Sequence, residues 1–215
     1  MKKTILQGIT ATILATGCFT GAQAVGAAQS KELNDKVIML DAGHGGSIDI
    51  GCQSKKLNEA TISYRFAKKV KRILEKKGAT VVMTRGKNEE KGVSSRIIQA
   101  LDVKPDYFIS FHTNCASPQK NGTQTFFSGN QNEAFATSLQ HEVSEALNTK
   151  DIGVEDEKFR RHSLGVLKQQ PSSDTKAALI ELGFLTNEKD AKALINKNNQ
   201  KQVATAISNV LKQDN

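Results

Sequence analysis

Residues 37–46, VIMLDAGHGG, decide the fold: an apolar run leads directly into a glycine-rich turn that carries a histidine. This pattern predicts a β-strand that ends in a tight turn and presents His44 where a sheet meets solvent. In open α/β sheets, ligands usually bind beyond the carboxyl ends of the strands. The pattern recurs at residues 107–112, YFISFH. Two of the four histidines therefore fall at predicted strand ends, which suggests a metal site.

Strand and helix patterns alternate along the rest of the chain. Apolar runs typical of strands lie at residues 37–41, 80–84, 107–112, 123–127 and 177–182. Apolar stripes at helical spacing run through three segments: Ile62, Phe66, Val70, Ile73 and Leu74; Phe135, Leu139, Val143 and Leu147; Val203, Ile207, Val210 and Leu211. This alternation predicts one three-layer α/β domain, with a central mostly parallel or mixed β-sheet flanked by helices.

The first 24 residues have the features of a secretory signal peptide. A basic start precedes an apolar stretch at residues 5–19 and the small-x-small sequence Ala22-Gln23-Ala24. The apolar stretch is shorter than the roughly 20 residues that span a bilayer, which argues against a stable membrane span. The pair Gly17-Cys18 leaves lipid anchoring at Cys18 as an alternative. We therefore expect a secreted protein with three parts: a signal peptide at 1–24, a linker at 25–35 and one folded domain at 36–215.

The charge of the chain restricts its partners. Removal of Lys2 and Lys3 with the signal peptide leaves 28 basic against 22 acidic residues, a net charge of +6. Such a protein is attracted to anionic surfaces, for example phosphate-rich wall polymers. Aromatic residues make up only 5% of the chain and no base-reading motif is present, so we expect no nucleic-acid partner. We interpret the cationic face of the first helix, around Lys68 and Arg72, as a solvated surface. A monomer is the default expectation.

Two cysteines, Cys52 and Cys115, follow the expected signal peptide. Their spacing matches neither a C-x-x-C motif nor a zinc finger. An oxidising compartment permits a disulfide between them, if the fold brings them together. A disulfide and two separate thiols both remain open from the sequence.

Four residues have the chemistry of a zinc hydrolase. A catalytic zinc takes three protein ligands from His, Asp and Glu, and keeps a fourth position for water. His44 and His112 are candidate ligands, and Glu59 lies just ahead of the first helical stripe. Glu181 lies inside an apolar run, where a structural protein would not place an acid. It is the candidate carboxylate for proton transfer.

Each of these residues also has an ordinary structural interpretation. A strand-end histidine is often only hydrogen-bonded, and an acid such as Glu59 is favoured at a helix N-terminus. Glu181, taken alone, also fits one half of a buried ion pair with Arg85 or Arg96. The candidate ligands are too far apart in sequence to form a local motif, so residue types alone leave a metal hydrolase and a structural role open.

An ordered series of motifs resembles a known family. The series consists of residues 41–46 (DAGHGG), Asp49 and Gly51, Glu59, Thr84-Arg85, Arg96, residues 108–114 (FISFHTN), Gly122-Thr123 and residues 180–187 (IELGFLTN). It resembles the zinc-dependent N-acetylmuramoyl-L-alanine amidases of bacterial cell walls, the Amidase_3 family. The resemblance covers about residues 36–212, which is essentially the whole predicted domain.

The resemblance implies a complete site and a reaction. His44, Glu59 and His112 match the family's zinc ligands, and Glu181 matches its catalytic glutamate. The implied substrate is peptidoglycan, cut at the amide between N-acetylmuramic acid and L-alanine of the stem peptide. Zinc-activated water would attack, with Glu181 as general acid and base, and Zn²⁺ is the one cofactor implied. The alternatives are a zinc peptidase that cuts within the stem peptide and a non-catalytic wall-binding protein.

Overall fold

The computed structural model describes residues 32–160, 164–168 and 174–214. The expected signal peptide, Cys18 and most of the expected linker lie outside the described residues. Residues 32–35, at the end of that linker, form a turn packed on the domain, in which Leu33 is fully buried.

The described residues contain a six-stranded sheet and a separate two-stranded hairpin. The strands are β1 (Val37–Ala42), β2 (Gln53–Ser54), β3 (Leu57–Asn58), β4 (Thr80–Met83), β5 (Tyr107–Asn114), β6 (Thr123–Phe127), β7 (Asp151–Asp156) and β8 (Lys176–Phe184). The large sheet has the order β4-β1-β5-β8-β6-β7, and β2 pairs with β3. All neighbours in the large sheet are parallel except β8 and β6. The predicted α/β fold with a mostly parallel sheet is confirmed.

Helices connect these strands. They are α1 (Glu59–Lys76), α2 (Val93–Val103), α3 (Glu133–Leu147), α4 (Gly165–Lys168), α5 (Glu188–Ile195) and α6 (Lys197–Gln213), with short 3-10 turns at Asn130–Asn132 and Glu157–Phe159. The three helical stripes in the sequence correspond to α1, α3 and α6. In the part of the chain that the structure describes, no helix has the length and apolar character needed to cross a bilayer.

Side chains alternate along the central strands and supply two cores. Ile38 and Leu40 of β1 join the larger core, which the sheet forms with α1, α3 and α6. Met39 points to the opposite face and joins a smaller core that includes residues of α2 and α4. The same alternation in β5 and β8 places one row of residues on each face. The domain therefore has helices on both faces of the sheet.

The start of α1 is determined locally. The side chain of Asn58 accepts a hydrogen bond from the N–H of Thr61 at 2.9 Å and so caps the helix. Glu59 is the first helical residue, and an acid there interacts favourably with the helix dipole. This position also places Glu59 at the sheet edge where β1 and β5 end. There its carboxylate contacts the backbone of Thr113 in β5.

A disulfide joins Cys52 and Cys115, whose Cα atoms lie 5.8 Å apart. It resolves the alternatives that the sequence left open. The bridge ties the segment before α1 to the residue that follows β5, across a sequence separation of 63 residues. A crosslink of this length restricts the unfolded chain substantially, which favours the folded state.

We predict that removing this disulfide destabilises the domain. The double variant Cys52→Ala/Cys115→Ala should lower the free energy of unfolding by about 2–4 kcal/mol, because the unfolded chain regains loop entropy. Urea unfolding followed by circular dichroism measures the change. A reductant should shift the wild-type curve towards that of the variant and leave the variant unchanged; identical curves for the oxidised wild type and the variant would contradict the prediction.

Candidate metal centre

The site lies at the carboxyl ends of three neighbouring parallel strands, β1, β5 and β8. Strand register sets His112 of β5 directly beside Glu181 of β8. The same pairing sets Asp41 of β1 beside Ser110 of β5. Because side chains alternate, these four residues share the face of the sheet that carries the smaller core. The sheet thus collects polar side chains that are far apart in sequence.

His44, Glu59 and His112 come together at this edge, with one ligand atom of each within 4.8 Å of the others. His44 Nε2 lies 3.2 Å from Glu59 Oε2, and His112 Nδ1 lies 2.9 Å from Glu59 Oε1. One carboxylate therefore sits between two imidazole rings. Two imidazoles and a carboxylate form a donor set that suits zinc.

Backbone donors hold the Glu59 carboxylate in place. The N–H of Cys52 donates to Oε2 at 2.8 Å, and the N–H of Thr113 donates to Oε1 at 2.9 Å. Burial alone would raise the pKa of Glu59, but hydrogen bonds with His112 and His44 and their charges hold it well below its usual range. Glu59 is therefore ionised at neutral pH, as a metal ligand must be.

His44 is oriented by a second carboxylate. Its Nδ1 lies 2.7 Å from Asp49 Oδ1, which leaves Nε2 directed at Glu59. Burial alone would lower the pKa of His44, but the hydrogen bonds and charges of Glu59 and Asp49 raise it to about 9. The pKa of His112 is also raised, since Glu59 and Glu181 outweigh the effect of burial. Both rings hold protons that a bound metal would displace.

Two glycines lie so close to the ligand side chains that a larger residue would not fit in their place. A Cβ atom on Gly43 would lie 2.4 Å from the ring of His112. A Cβ atom on Gly51 would lie 2.6 Å from both Glu59 Oε2 and the His44 ring, and the φ of Gly51 is +64°. Side chains at either position would displace the ligands. Glycine is therefore required at both positions for the ligand side chains to pack together.

A buried ion pair supports the turn that carries His44. The Arg96 guanidinium donates to the Asp41 carboxylate and to the carbonyl oxygens of Ala42 and His44. Ser110 and Thr84 donate their hydroxyls to the same carboxylate at 2.6 and 2.7 Å. Burial alone would raise the pKa of Asp41, but the Arg96 charge and these hydroxyls hold it low.

Arg85 ties the same turn to α1. Its guanidinium donates to the carbonyl oxygens of Ala42, Gly43 and Ala60, at 2.8, 2.9 and 2.8 Å. Both arginines are therefore engaged by the turn. The alternative in which Arg85 or Arg96 forms an ion pair with Glu181 is wrong.

Glu181 differs from the other carboxylates of the site. Its Oε2 atom is buried and has no hydrogen-bond partner among residues 32–160, 164–168 and 174–214. Burial raises the pKa of Glu181 to about 7, against an opposing effect of the His112 charge. An unpartnered buried carboxyl oxygen beside the ligand cluster fits a group that exchanges protons with a bound reactant.

A cleft of about 180 Å³ opens beside the cluster. His44 and His112 line it, together with Val93 at the start of α2, Leu164 and Val166. The lining also includes the charged residues Asp41, Asp49, Lys91 and Arg96. It offers space for a substrate next to the three ligand side chains.

The structure brings all four predicted site residues to one place. The sequence contains Asp49, Arg85 and Arg96 in the motif series but does not indicate that they support these four residues. Asp49 lies five residues after His44 in the same turn, a spacing that could have indicated a carboxylate that orients the ring. For the two arginines the sequence does not indicate the partners, because the backbone carbonyls and the Asp41 carboxylate that they bind are brought close only by the fold.

Comparison with protein families identifies one match over most of the chain. The Amidase_3 family, described as N-acetylmuramoyl-L-alanine amidase, matches residues 38–213. The uncharacterized protein YqiI of Bacillus subtilis is 32% identical over 187 residues, which cover 85% of this chain and 86% of YqiI. The probable cell wall amidase LytH of Staphylococcus saprophyticus is 33% identical over 182 residues. That match covers 83% of this chain but 58% of LytH.

A solved structure has the same architecture. The catalytic domain of CwlV, an N-acetylmuramoyl-L-alanine amidase from Bacillus (Paenibacillus) polymyxa var. colistinus, superposes with a TM-score of 0.74. The two sequences are 29% identical, and the match covers 83% of this chain and 97% of that domain. The six-stranded sheet with its flanking helices therefore corresponds to an amidase catalytic domain.

We predict that Glu181→Gln changes how the stability of the metal-free protein depends on pH. The folded-state pKa of Glu181, about 7, exceeds its ordinary value of 4.5. Between these values the folded protein binds more protons than the unfolded chain, so wild-type stability falls as pH rises. The variant lacks this effect and should gain up to about 3 kcal/mol on the wild type above pH 7.

Urea unfolding of both proteins at about pH 5, 6, 7 and 8 measures this difference. Glu145→Gln, at an exposed position of α3, is the matched control and should show the same difference from wild type at every pH. A Glu181→Gln difference that stays constant between the lowest and highest pH would contradict the prediction.

Proposed function

The chain belongs to the Amidase_3 family of N-acetylmuramoyl-L-alanine amidases, which hydrolyse peptidoglycan, and we propose from this how its own residues act. The proposed reaction is hydrolysis of the amide bond between N-acetylmuramic acid and L-alanine of the stem peptide. One observation carries the proposal: Glu181 lies beside the cluster of His44, Glu59 and His112, with a buried carboxyl oxygen that has no partner among the described residues.

We propose that His44, Glu59 and His112 hold a zinc ion. The donor set supports this, since three His and Glu ligands with a fourth position left open are typical of catalytic zinc. The buried, ionised Glu59 and the close approach of both rings fit the same role. When bound, zinc would polarise the substrate carbonyl and lower the pKa of a coordinated water.

Glu181 would move the proton. Its Oε2 would accept a proton from the attacking water and then donate it to the amine of the departing L-alanine. A pKa of about 7 suits both steps, because the carboxyl group can gain and lose a proton near neutral pH. Asp49, Arg85 and Arg96 would act indirectly, by keeping His44 in position.

The proposed place of action is the cell wall. Residues 1–24 would direct export as a signal peptide, with lipid anchoring at Cys18 as the alternative, and residues 36–215 would be the catalytic domain. Peptidoglycan is the substrate that the family assignment supports. The positive charge of the chain supports a further attraction to anionic wall polymers. We propose that the protein acts as a monomer.

We predict that zinc binding at neutral pH releases protons. The pKa of His44 is about 9 and that of His112 is raised, so protons compete with the metal ion for the ring nitrogen atoms. About one or two protons should be released per zinc, and zinc should bind more tightly as pH rises. Calorimetry in two buffers of different ionisation enthalpy measures the release. His112→Ala should abolish tight binding, whereas Glu181→Gln should retain it; equal heats in both buffers would contradict the prediction.

The products of hydrolysis test the reaction itself. Zinc-loaded protein incubated with purified peptidoglycan should release free stem peptides that begin at L-alanine and leave the glycan strands intact. Mass spectrometry identifies these products. Glu181→Gln should lower the rate by about 10²–10⁴-fold while the variant stays folded and binds zinc, because only proton transfer is removed.

Each alternative function has its own outcome in this experiment. Shortened stems still attached to muramic acid would identify a peptidase that cuts within the stem. Binding to peptidoglycan without any product, from zinc-loaded wild-type protein, would favour a non-catalytic wall-binding protein. A Glu181→Gln variant with full activity would show that the proton is moved by another group.

A further inference from the structure

One side of α1 forms a groove lined by positive charges, which we call the α1 groove. It encloses about 290 Å³. The cationic side chains that line it are Arg65, Lys68, Lys69, Arg72 and Lys87. Thr61, Tyr64 and Gln200 complete the lining, and no acidic side chain takes part. The fold therefore concentrates five positive charges around one concave surface.

The charges are arranged in a row. Arg65, Lys68 and Arg72 recur at helical spacing on one face of α1, and the helix rises by roughly 10 Å over the seven steps from Arg65 to Arg72. Lys87, from the loop that follows β4, lines the same groove. A ligand with negative charges repeated along its length would meet several of these cations at once.

The charges of the α1 groove have no internal counterions. Among the residues that the structure describes, none of the five cations forms an ion pair with an acid. By contrast, Lys71 on the neighbouring face of α1 pairs with Glu75 at 2.8 Å. A pair of this kind, between residues four apart, stabilises a helix slightly, and like charges at the same spacing destabilise it by a similar amount.

Nearby acids are engaged elsewhere. Glu89 shares the loop of Lys87, but its carboxylate accepts a hydrogen bond from the N–H of Gly86. Glu90 accepts from the N–H groups of Ser47 and Ile48, on the glycine-rich turn. The loop thus turns its acids away from the α1 groove and contributes only Lys87 to it. The sequence alone showed the cations of α1 but not this arrangement.

We propose that the α1 groove binds a single strand of an anionic polymer whose charges are phosphodiesters, as a docking site on the cell wall. The proposal rests on the proposed wall location. A concave row of cations suits a flexible strand, because phosphates attract Lys and Arg through charge and hydrogen bonds. The exposed large apolar residues, among them Ile48, Val93 and Phe159, lie outside the groove. A bilayer surface is therefore the poorer match, since interfacial binding gains from inserted apolar side chains.

The position of the α1 groove gives docking a consequence for the enzyme. Thr61, which lines the groove, lies two residues after Glu59. The Arg85 guanidinium lies 5.8 Å from the centroid of the Tyr64 ring, which also lines the groove, and donates to the carbonyl oxygen of Gly43 beside the ligand cluster. A polymer held in the groove would keep the catalytic cleft close to the wall. We expect docking to accelerate hydrolysis of polymer-bearing wall and to leave hydrolysis of small soluble fragments unchanged.

Binding to soluble, lipid-free poly(glycerol phosphate) tests the proposal. The groove variant is Arg65→Gln/Lys68→Gln/Arg72→Gln. The matched control, Lys150→Gln/Lys197→Gln/Lys201→Gln, removes the same charge from exposed positions elsewhere. Calorimetry should show wild-type binding that weakens steeply with salt. At about 1 kcal/mol per removed charge, the groove variant should bind about a hundredfold more weakly, and the control should stay within about twofold of the wild type. Lys87→Gln, which removes one charge from the lining, should weaken binding by about fivefold.

Three results would overturn the proposal. One is the absence of wild-type binding to the polymer, and another is equal loss in the groove variant and the control, which would mean general charge attraction. The third is binding to vesicles of anionic phospholipid that the groove variant loses, without binding to the polymer, which would make the surface a membrane site. Because the assay measures binding without hydrolysis, it gives its answer even if the proposed reaction is wrong.

Discussion

The buried carboxylate of Asp41 is the constraint on which the rest of the site depends. A charge with no access to water destabilises a fold strongly unless it is paired and hydrogen-bonded. The Asp41 carboxylate is therefore paired with Arg96 of α2 and accepts hydrogen bonds from the hydroxyls of Thr84 and Ser110. Because Arg96 also holds the carbonyl of His44, neutralising one carboxylate fixes the path of the glycine-rich turn. The ligand cluster is built on that turn.

Three carboxylates within this region have three different environments. Asp41 is paired with an arginine, and Glu59 is held between two imidazoles and two backbone N–H groups. Both stay ionised. Glu181 is half-buried, its Oε2 atom is buried without a partner in the described chain, and burial raises its pKa to about 7. Environment alone therefore separates a structural anion, a ligand and a proton carrier, a division of roles that acid–base enzymes commonly use.

The sequence predicted the elements that bury apolar side chains and missed those that do not. β1, β5 and β8 are continuous apolar runs because they are covered on both faces. The edge strand β7 is polar and pairs only with β6, so its pattern resembles a loop. Helix α2 buries only Arg96 and Ala100, which leaves no apolar stripe to recognise.

By itself, the sequence determined the α/β class, the candidate site residues and the family resemblance, because residue types and short periodicities are local properties. Only the tertiary structure decided the pairing of Cys52 with Cys115 and the engagement of Arg96 by Asp41. It also left Glu181 Oε2 without a hydrogen-bond partner among the described residues and brought Lys87 into the lining of the α1 groove. Each of these depends on strand register or on the packing of loops far apart in the chain. Such contacts form because a buried charge is stable only when it is paired and hydrogen-bonded. No short stretch of sequence indicates which distant residue will be its partner.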